Sequence, residues 1–204
     1  MVNRDAAHAA PLVIGIGGTT RPGSSTEQAL RLSLRAAKAE GAETVLLAGY
    51  ALRLPMYSPE TAERSPEAMQ LIDLLRRCDG LIIASPSYHG SVSGLVKNAL
   101  DYAEDLSADE RVYFDGCPIG LIAVAAGWQG AGQTLAAMRS IAHSLRGWPT
   151  PLGAMLNSTM QRFDEAGNCL DPSAKIQLEG VGRQVVQFLR MQRAAQIPLQ
   201  GRCA

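Results

Sequence analysis

The sequence lacks a charge imbalance. Lysine and arginine together number 19, aspartate and glutamate 19, so the formal net charge is zero. Partners with extended negative charge, nucleic acid or an anionic membrane surface, are recognised through a basic excess. Neither is expected here. Also lacking is any run of about 18 apolar residues, the length a membrane-spanning helix needs. The opening stretch "MVNRDAAHAAPLVIGIGG" has no long apolar segment ahead of a cleavage-like site. There is no Gly-x-Ser-x-Gly elbow, no His/Glu metal cluster and no convincing pair of acids, so no catalytic side chain and no metal ligand is nominated. The four cysteines, Cys78, Cys117, Cys169 and Cys203, are too scattered for a zinc or iron–sulfur site. Cys78 and Cys117 stand at the edges of apolar segments and read as reduced, packed thiols. A reducing compartment fits them, and the expected location is the cytoplasm.

What the chain does have is alternation. Its 204 residues, 47% apolar and 19% charged, suit one globular domain. The expected core is about 11–191, with 192–204 a loosely held tail. Five short apolar runs, 12–17, 44–47, 81–85, 119–125 and 152–156, are nearly continuous in apolar residues, as strands buried on both faces are. Between them come helical patterns. Residues 26–40 carry Leu30, Leu34 and Ala37. A second helix opens at Ser65-Pro66-Glu67 and is read with the stripe Met69, Ile72, Leu75. A third spans 94–104 and a fourth 130–145. The fifth, 173–191, is read with Ile176, Val181, Val185 and Leu189 on one side. This order implies an α/β domain, a parallel sheet with helices on both faces. Ligands of such sheets sit beyond the carboxyl ends of the strands, where strand order reverses.

The loop after the first strand, "GGTTRPGSSTE", is rich in donors. It offers the hydroxyls of Thr19, Thr20, Ser24, Ser25 and Thr26, the guanidinium of Arg21, and the free amides of a helix start. No acid occurs before Glu27. Together these read as a phosphate cradle. The loop lacks the Gly-Lys-Ser/Thr ending of a nucleotide P-loop, and its glycines miss the dinucleotide spacing. The same residues also read as a helix amino terminus with a capping box, Ser24-x-x-Glu27.

After the third strand comes "SPSYHGSVSGLVKNALDY". Pro86 is expected to end the strand, and Gly90 to free the backbone for a turn. Ser87, Tyr88, His89 and Ser91 then stand at the sheet's carboxyl edge. Tyr88 offers a flat face or a half-buried wall. His89 has no partner acid or nucleophile near it in sequence, so its backbone amide is the nominated group. Lys97 and Asp101 read as a surface ion pair, and Asn98 as holding the turn by hydrogen bonds, a structural role. After the fourth strand, Gly127, Gly130 and Gly132 suggest another flexible turn. Trp128 fits a ring contact or a subunit interface equally well.

These two stretches resemble the NADPH-dependent FMN reductase family. Thr19, Arg21, Ser24 and Thr26 match its phosphate loop. Pro86, Tyr88, Gly90, Ser91, Leu95, Lys97, Asn98 and Asp101 match its second motif, and "LPMYSPE" is similar to its loop after the second strand. The likeness covers roughly residues 12 to 156. It implies a flavodoxin-like, doubly wound, five-stranded parallel sheet of order 2-1-3-4-5. It implies the FMN phosphate on the first loop and the flavin ring on the Tyr88 corner, with backbone amides near His89 and Gly90 facing the ring and the Gly127 turn flanking it. Thr19, Arg21, Ser24, Ser25, Thr26, Pro86, Ser87, Tyr88, His89, Gly90, Ser91 and Gly127 are the nominated cofactor residues. NADPH or NADH would be the reductant, a small molecule the electron acceptor, and a homodimer or homotetramer the assembly. Flavin carries hydride chemistry itself, which suits a chain without an evident nucleophile or base. Three other readings stay open: a quinone, azo or metal-oxyanion reductase with bound FMN, a flavodoxin-type electron carrier, and a phosphate binder without flavin.

Overall fold

A computed structural model describes residues 10–160 and 162–195. Five parallel strands form its centre: β1 (Leu12–Gly17), β2 (Glu43–Ala48), β3 (Gly80–Tyr88), β5 (Pro118–Ala125) and β6 (Trp148–Asn157), with a two-residue strand, β4 (Ser91–Val92), turned back on β3. The order is β2-β1-β3-β5-β6. It differs from the expected 2-1-3-4-5 only through the added β4; counted alone, the parallel strands follow the expected order. The α/β fold class is the expected one.

The strands alternate their side chains between two cores. Ile14, Ile16, Leu81, Ile83, Ile119 and Leu121 face helices α2 (Pro66–Arg77), α3 (Gly94–Asp101) and α4 (Trp128–Ser144). Val13, Ile82, Ala84, Ile122 and Val124 face α1 (Ser25–Ala39) and α5 (Pro172–Ala194). This period of two with both faces apolar explains the continuous apolar runs. The helix α1 returns to β2 on one face, and α2 returns to β3 on the other. The reversal lies between β1 and β3.

Helix starts follow their caps. Ser24, Ser65 and Ser93 each accept a backbone N–H at the heads of α1, α2 and α3, and Pro66 opens α2. Two expected core positions are corrected. Met69 is 55% exposed and Ile176 66% exposed. The buried face of α2 is Ala68, Leu71, Ile72, Leu74 and Leu75; Met69 falls off it because a strict three-residue step drifts around a 3.6-residue helix. Ile176 stands five residues before Val181, which turns it away from the Val181–Val185–Leu189 stripe. The helix α5 also outlasts its expected end at Met191. It runs to Ala194, and Gln192 donates to the Gly116 carbonyl at 2.7 Å. The rest of the expected tail, 196–204, and Cys203 with it, lie outside the described residues. No described helix is long and apolar enough to cross a membrane.

Candidate functional site

The reversal point is held by one close approach. A Cβ built on Gly17 would lie 2.0 Å from the carbonyl oxygen of Ala84, so only glycine lets the end of β1 lie this tightly against β3. From there the chain enters the first loop, and the Gly18 amide donates to that same oxygen at 3.3 Å. Thr19 Oγ1 accepts from the Arg21 amide at 3.1 Å, which folds the loop on itself. Ser24 Oγ accepts from the Glu27 amide at 3.3 Å, and the Glu27 carboxylate accepts from the Gly23 amide at 3.1 Å. The expected capping arrangement is therefore present, shifted by one residue at its second bond. It has an electrostatic result. Glu27 is buried and neutralised by Arg31 at 2.7 Å, so the loop keeps a cationic character. Arg21 is exposed, and its guanidinium has no hydrogen bond or ion pair with the described residues. Ser25 is half-buried and Thr26 buried in the first turn of α1.

The corner after β3 is a hairpin. The expectation that Pro86 ends the strand is corrected: β3 runs on to Tyr88, and Pro86 pairs with Val124 of β5. The reason is directional. Ala84 faces β1, so in the alternating pattern Ser85 faces β5 and Pro86 faces the β1 side again. β1 has already ended at Gly17, and the missing N–H has no partner to lose. Tyr88 and Ser91 pair across a two-residue loop, His89-Gly90, with φ of +53° and +82°. Positive φ at both central positions is the type I′ pattern, whose twist matches the strands. Such a loop leaves the His89 and Gly90 amides outside the ladder. Tyr88, His89 and Ser91 are exposed.

The third element is the head of α4. Ser87 Oγ donates to the Gly130 carbonyl at 3.1 Å, tying the hairpin to the first turn of that helix. The helix starts at Trp128, two residues earlier than expected, so Gly130 and Gly132 are helical and only Gly127 belongs to the turn. Gly130 serves packing instead: a Cβ there would sit 3.1 Å from Ser87 Oγ. Gly127 caps α4 without a side-chain bond, leaving the first amides of the helix free. Trp128 is 55% exposed.

The first loop and the hairpin meet. One cleft of about 110 Å³ is lined by Thr19 and Thr20 on one side and by Pro86, Tyr88, Ser93 and Leu95 on the other. The neighbours Arg21 and His89 flank it in sequence. Ser24, Ser25, Thr26, Ser87, Gly90, Ser91 and Gly127 do not line it; they build the elements that shape it. The enclosed volume is far below that of a drug-sized ligand site, so most of a mononucleotide would lie along the open rim. A larger concavity, about 530 Å³, lies between α1 and α5 and shares none of these lining residues, and its Glu179 already pairs with Lys175 and Arg183.

Comparison with known proteins decides the class. The sequence profile described as NADPH-dependent FMN reductase matches residues 11–161. The chain belongs to the NADPH-dependent FMN reductase family. Among curated relatives, an NADPH azoreductase of Bacillus sp. (strain OY1-2) is 38% identical over 88 residues, 43% of this chain and 46% of its own length. The chain thus spans about half of that relative. An NAD(P)H-dependent FMN reductase of Pseudomonas aeruginosa is 28% identical over 173 residues, 80% of this chain and 86% of the relative. Among solved structures, the flavoenzyme NAD(P)H:(acceptor) oxidoreductase of Paracoccus denitrificans superposes with a TM-score of 0.74 at 19% identity, covering 89% of this chain and 98% of that one. The family is one of oxidoreductases that use FMN and NAD(P)H.

Against the family's second motif, the structure sorts roles. Asn98 is structural, but at another place than expected: it accepts from the Tyr57 amide at 2.8 Å and donates to the Pro55 carbonyl at 2.9 Å, fixing the loop after β2 and not the turn after β3. Lys97 and Asp101 form the expected surface pair. The sequence reading missed the clamp on the same loop. Arg64 makes two bonds to Asp105, at 2.7 and 2.8 Å, and Tyr57 OH donates to Asp105 at 3.1 Å. The Arg64 guanidinium holds the Asp105 carboxyl below the usual carboxylate range. Burial, then the bond to Asp105, pushes the Tyr57 phenol up. Ser93 was also missed, although a serine just ahead of a helical pattern is a capping signal. Its amide donates to Ser85 Oγ at 2.9 Å, and it lines the cleft.

Proposed function

We propose that the chain is an NAD(P)H-dependent reductase that binds FMN across this cleft, with FMN itself as the most direct acceptor. The observation that carries the reading is the convergence of Thr19 and Thr20 with Tyr88 on one cleft at the strand-order reversal. The residues fit the group. Arg21, an exposed guanidinium with no competing carboxylate, would bind the phosphate with the Thr19 and Ser25 hydroxyls. Ser24 Oγ accepts one bond in capping α1 and keeps its own O–H to donate. Thr26, buried beneath the loop, fills the first turn. Pro86, Ser87 and Ser91 set the hairpin that presents Tyr88 as a wall and the His89 and Gly90 amides as donors. Gly127 keeps the head of α4 free of a side chain. FMN supplies the hydride-accepting chemistry when bound. The chain's own residues bind, orient and leave one side open to nicotinamide; none has to act as acid or base.

The same reading includes one domain, a small-molecule acceptor without nucleic acid or membrane as partner, a homodimer or homotetramer, and a cytoplasmic setting. Exposed Trp128 suits a subunit contact, where tryptophan is enriched. The buried, unpaired thiols of Cys78 and Cys117 suit a reducing compartment. A second reading, an azo compound as acceptor, is favoured by the name of the Bacillus relative. The test is to load the purified protein with FMN and add NADPH without air. Rapid bleaching of the flavin band is expected, followed by turnover with free FMN, a quinone and an azo dye compared side by side. Bound flavin that NADPH leaves yellow would make the protein an electron carrier, and no affinity for flavin would end the proposal.

A further inference from the structure

At the opposite edge of the sheet from the cleft, two thiols and a guanidinium share one core position. Cys78 caps the end of α2, and Cys117 stands just before β5. Extending the Leu81↔Ile119 register two residues back sets Cys117 opposite Asp79, the neighbour of Cys78. Both cysteines are 0% exposed, and the Cys117 sulfur lies 3.9 Å from the Cys78 carbonyl oxygen. Arg111 reaches over them. Its Nη1 donates to Cys117 Sγ at 3.2 Å and to the Cys78 carbonyl, and its Nη2 donates to the Leu75 and Arg76 carbonyls at 2.9 and 2.8 Å.

Arg111 caps the end of α2 through these carbonyls, and in addition donates an N–H to a sulfur. A partly buried guanidinium needs an anionic or strongly accepting partner. Arg111 is in no ion pair among the described residues, and the group it meets beyond backbone carbonyls is a sulfur. The two thiols are also unlike each other. The neighbouring Cys78 thiol, whose own hydrogen bond goes to the Leu75 carbonyl at 3.2 Å, and then the charge of Arg111 hold the Cys117 thiol below its ordinary value, against burial and the nearby Asp79 and Asp115. The nearness of Cys117, together with burial, pushes the Cys78 thiol up. Cys117, the sulfur that Arg111 meets, is the one placed to attack, and Cys78 the one placed to resolve.

We propose that Cys78 and Cys117 are a redox dithiol site that closes to an intrachain disulfide when the protein meets a peroxide. The Cys117 thiolate attacks one peroxide oxygen and the O–O bond breaks. The departing oxygen takes a proton and leaves as water, and Cys117 carries a sulfenic acid. The Cys78 sulfur then attacks the Cys117 sulfur, the S–O bond breaks, and the hydroxyl leaves with the Cys78 proton as a second water. The two thiols lose two electrons in all, and the peroxide gains them. Both sulfurs are buried, so hydrogen peroxide, a molecule little larger than water, would have to enter beside the partly buried Arg111 side chain. The bridge would tie the end of α2 to the root of β5.

The test uses the full chain in a Cys169→Ser/Cys203→Ser background, reduced, then exposed to hydrogen peroxide. The protein is denatured with an alkylating reagent and digested without reductant. A linked pair of peptides containing Cys78 and Cys117, formed within single chains and reversed by dithiothreitol, is the expected result. With Cys78→Ser, or Cys78→Ala should that variant not fold, Cys117 should instead be caught by dimedone as a sulfenic acid. Full alkylation of both thiols after an exposure that oxidises free cysteine would overturn the proposal. So would over-oxidation of Cys117 with no bridge, or a bridge that joins two chains.

Discussion

Replacing Gly17 with alanine tests the geometry on which the site rests. The new Cβ would lie 2.0 Å from Ala84 O, 2.8 Å from Ala84 C and 3.0 Å from Ala84 Cα. Ordinary contact needs at least about 3.2 Å between carbon and oxygen, so β1 and β3 must part by roughly 1 Å against close packing. Both are buried and joined by ladder bonds, and the obstruction is backbone, which cannot rotate away. Overpacking of this kind costs about 1–3 kcal/mol. The φ of +157° adds a backbone penalty of about 1–3 kcal/mol for a residue with a side chain. A total near 3–4 kcal/mol is a large part of an ordinary stability of roughly 5–15 kcal/mol. With a urea slope of about 2 kcal/mol/M, the midpoint should fall by roughly 1.5–2 M. Gly23→Ala is the control. Gly23 has φ of +66° but nothing within 4 Å of a Cβ, so it should lose only the backbone term, about 1 kcal/mol. Urea melts of the two variants beside the parent make the comparison. Equal shifts, or a Gly17→Ala midpoint within about 0.3 M of the parent, would refute the close-approach argument.

Three further outcomes follow from the site and its supports. His89→Ala should keep most of its hydride transfer in anaerobic stopped-flow with NADPH, because the amide and not the imidazole is the nominated group; a loss beyond roughly a hundredfold would mean acid–base work by the ring. Asp105→Asn should cost about 1.5–3 kcal/mol at neutral pH, the range for charge-assisted bonds, and flatten the acid limb of stability. The sign follows from the depressed carboxyl. Its contribution is full above the ordinary aspartate value, about 3.9, and is lost as pH falls through the lower folded value; an unchanged acid melt would contradict it. Ser93→Ala should cost about 1 kcal/mol as a lost cap in thermal melts; no change would mean that the cap bond to the Val96 amide is idle.

What could be read from the chain alone was local. The strands showed because residues such as Leu81, Ile82 and Ile83 are apolar on both faces, and helix starts showed where Ser24-x-x-Glu27 and Ser65-Pro66 gave capping chemistry. Two features were hidden because their causes lie elsewhere in the chain. Pro86 continues its strand only because β1 has already ended, which no local pattern records. Gly130 looks like a turn residue but is small to admit Ser87, a neighbour 43 positions away. Likewise Arg64 gave no local sign that it would clamp Asp105. The candidate site was legible as two polar corners; their meeting on one cleft depends on the order of the strands, which became visible only through the family likeness.

The most direct measurement is a titration of FMN and of riboflavin, the same molecule without its phosphate, into the parent, Arg21→Ala and Tyr88→Ala. If the first loop holds the phosphate and the hairpin holds the ring, Arg21→Ala should weaken FMN by about 1.5–3 kcal/mol and leave riboflavin unchanged. Tyr88→Ala should weaken both by a similar amount, about 0.5–1.5 kcal/mol. Arg21→Ala acting equally on the two ligands, or on neither, would contradict the placement of the flavin across these two corners.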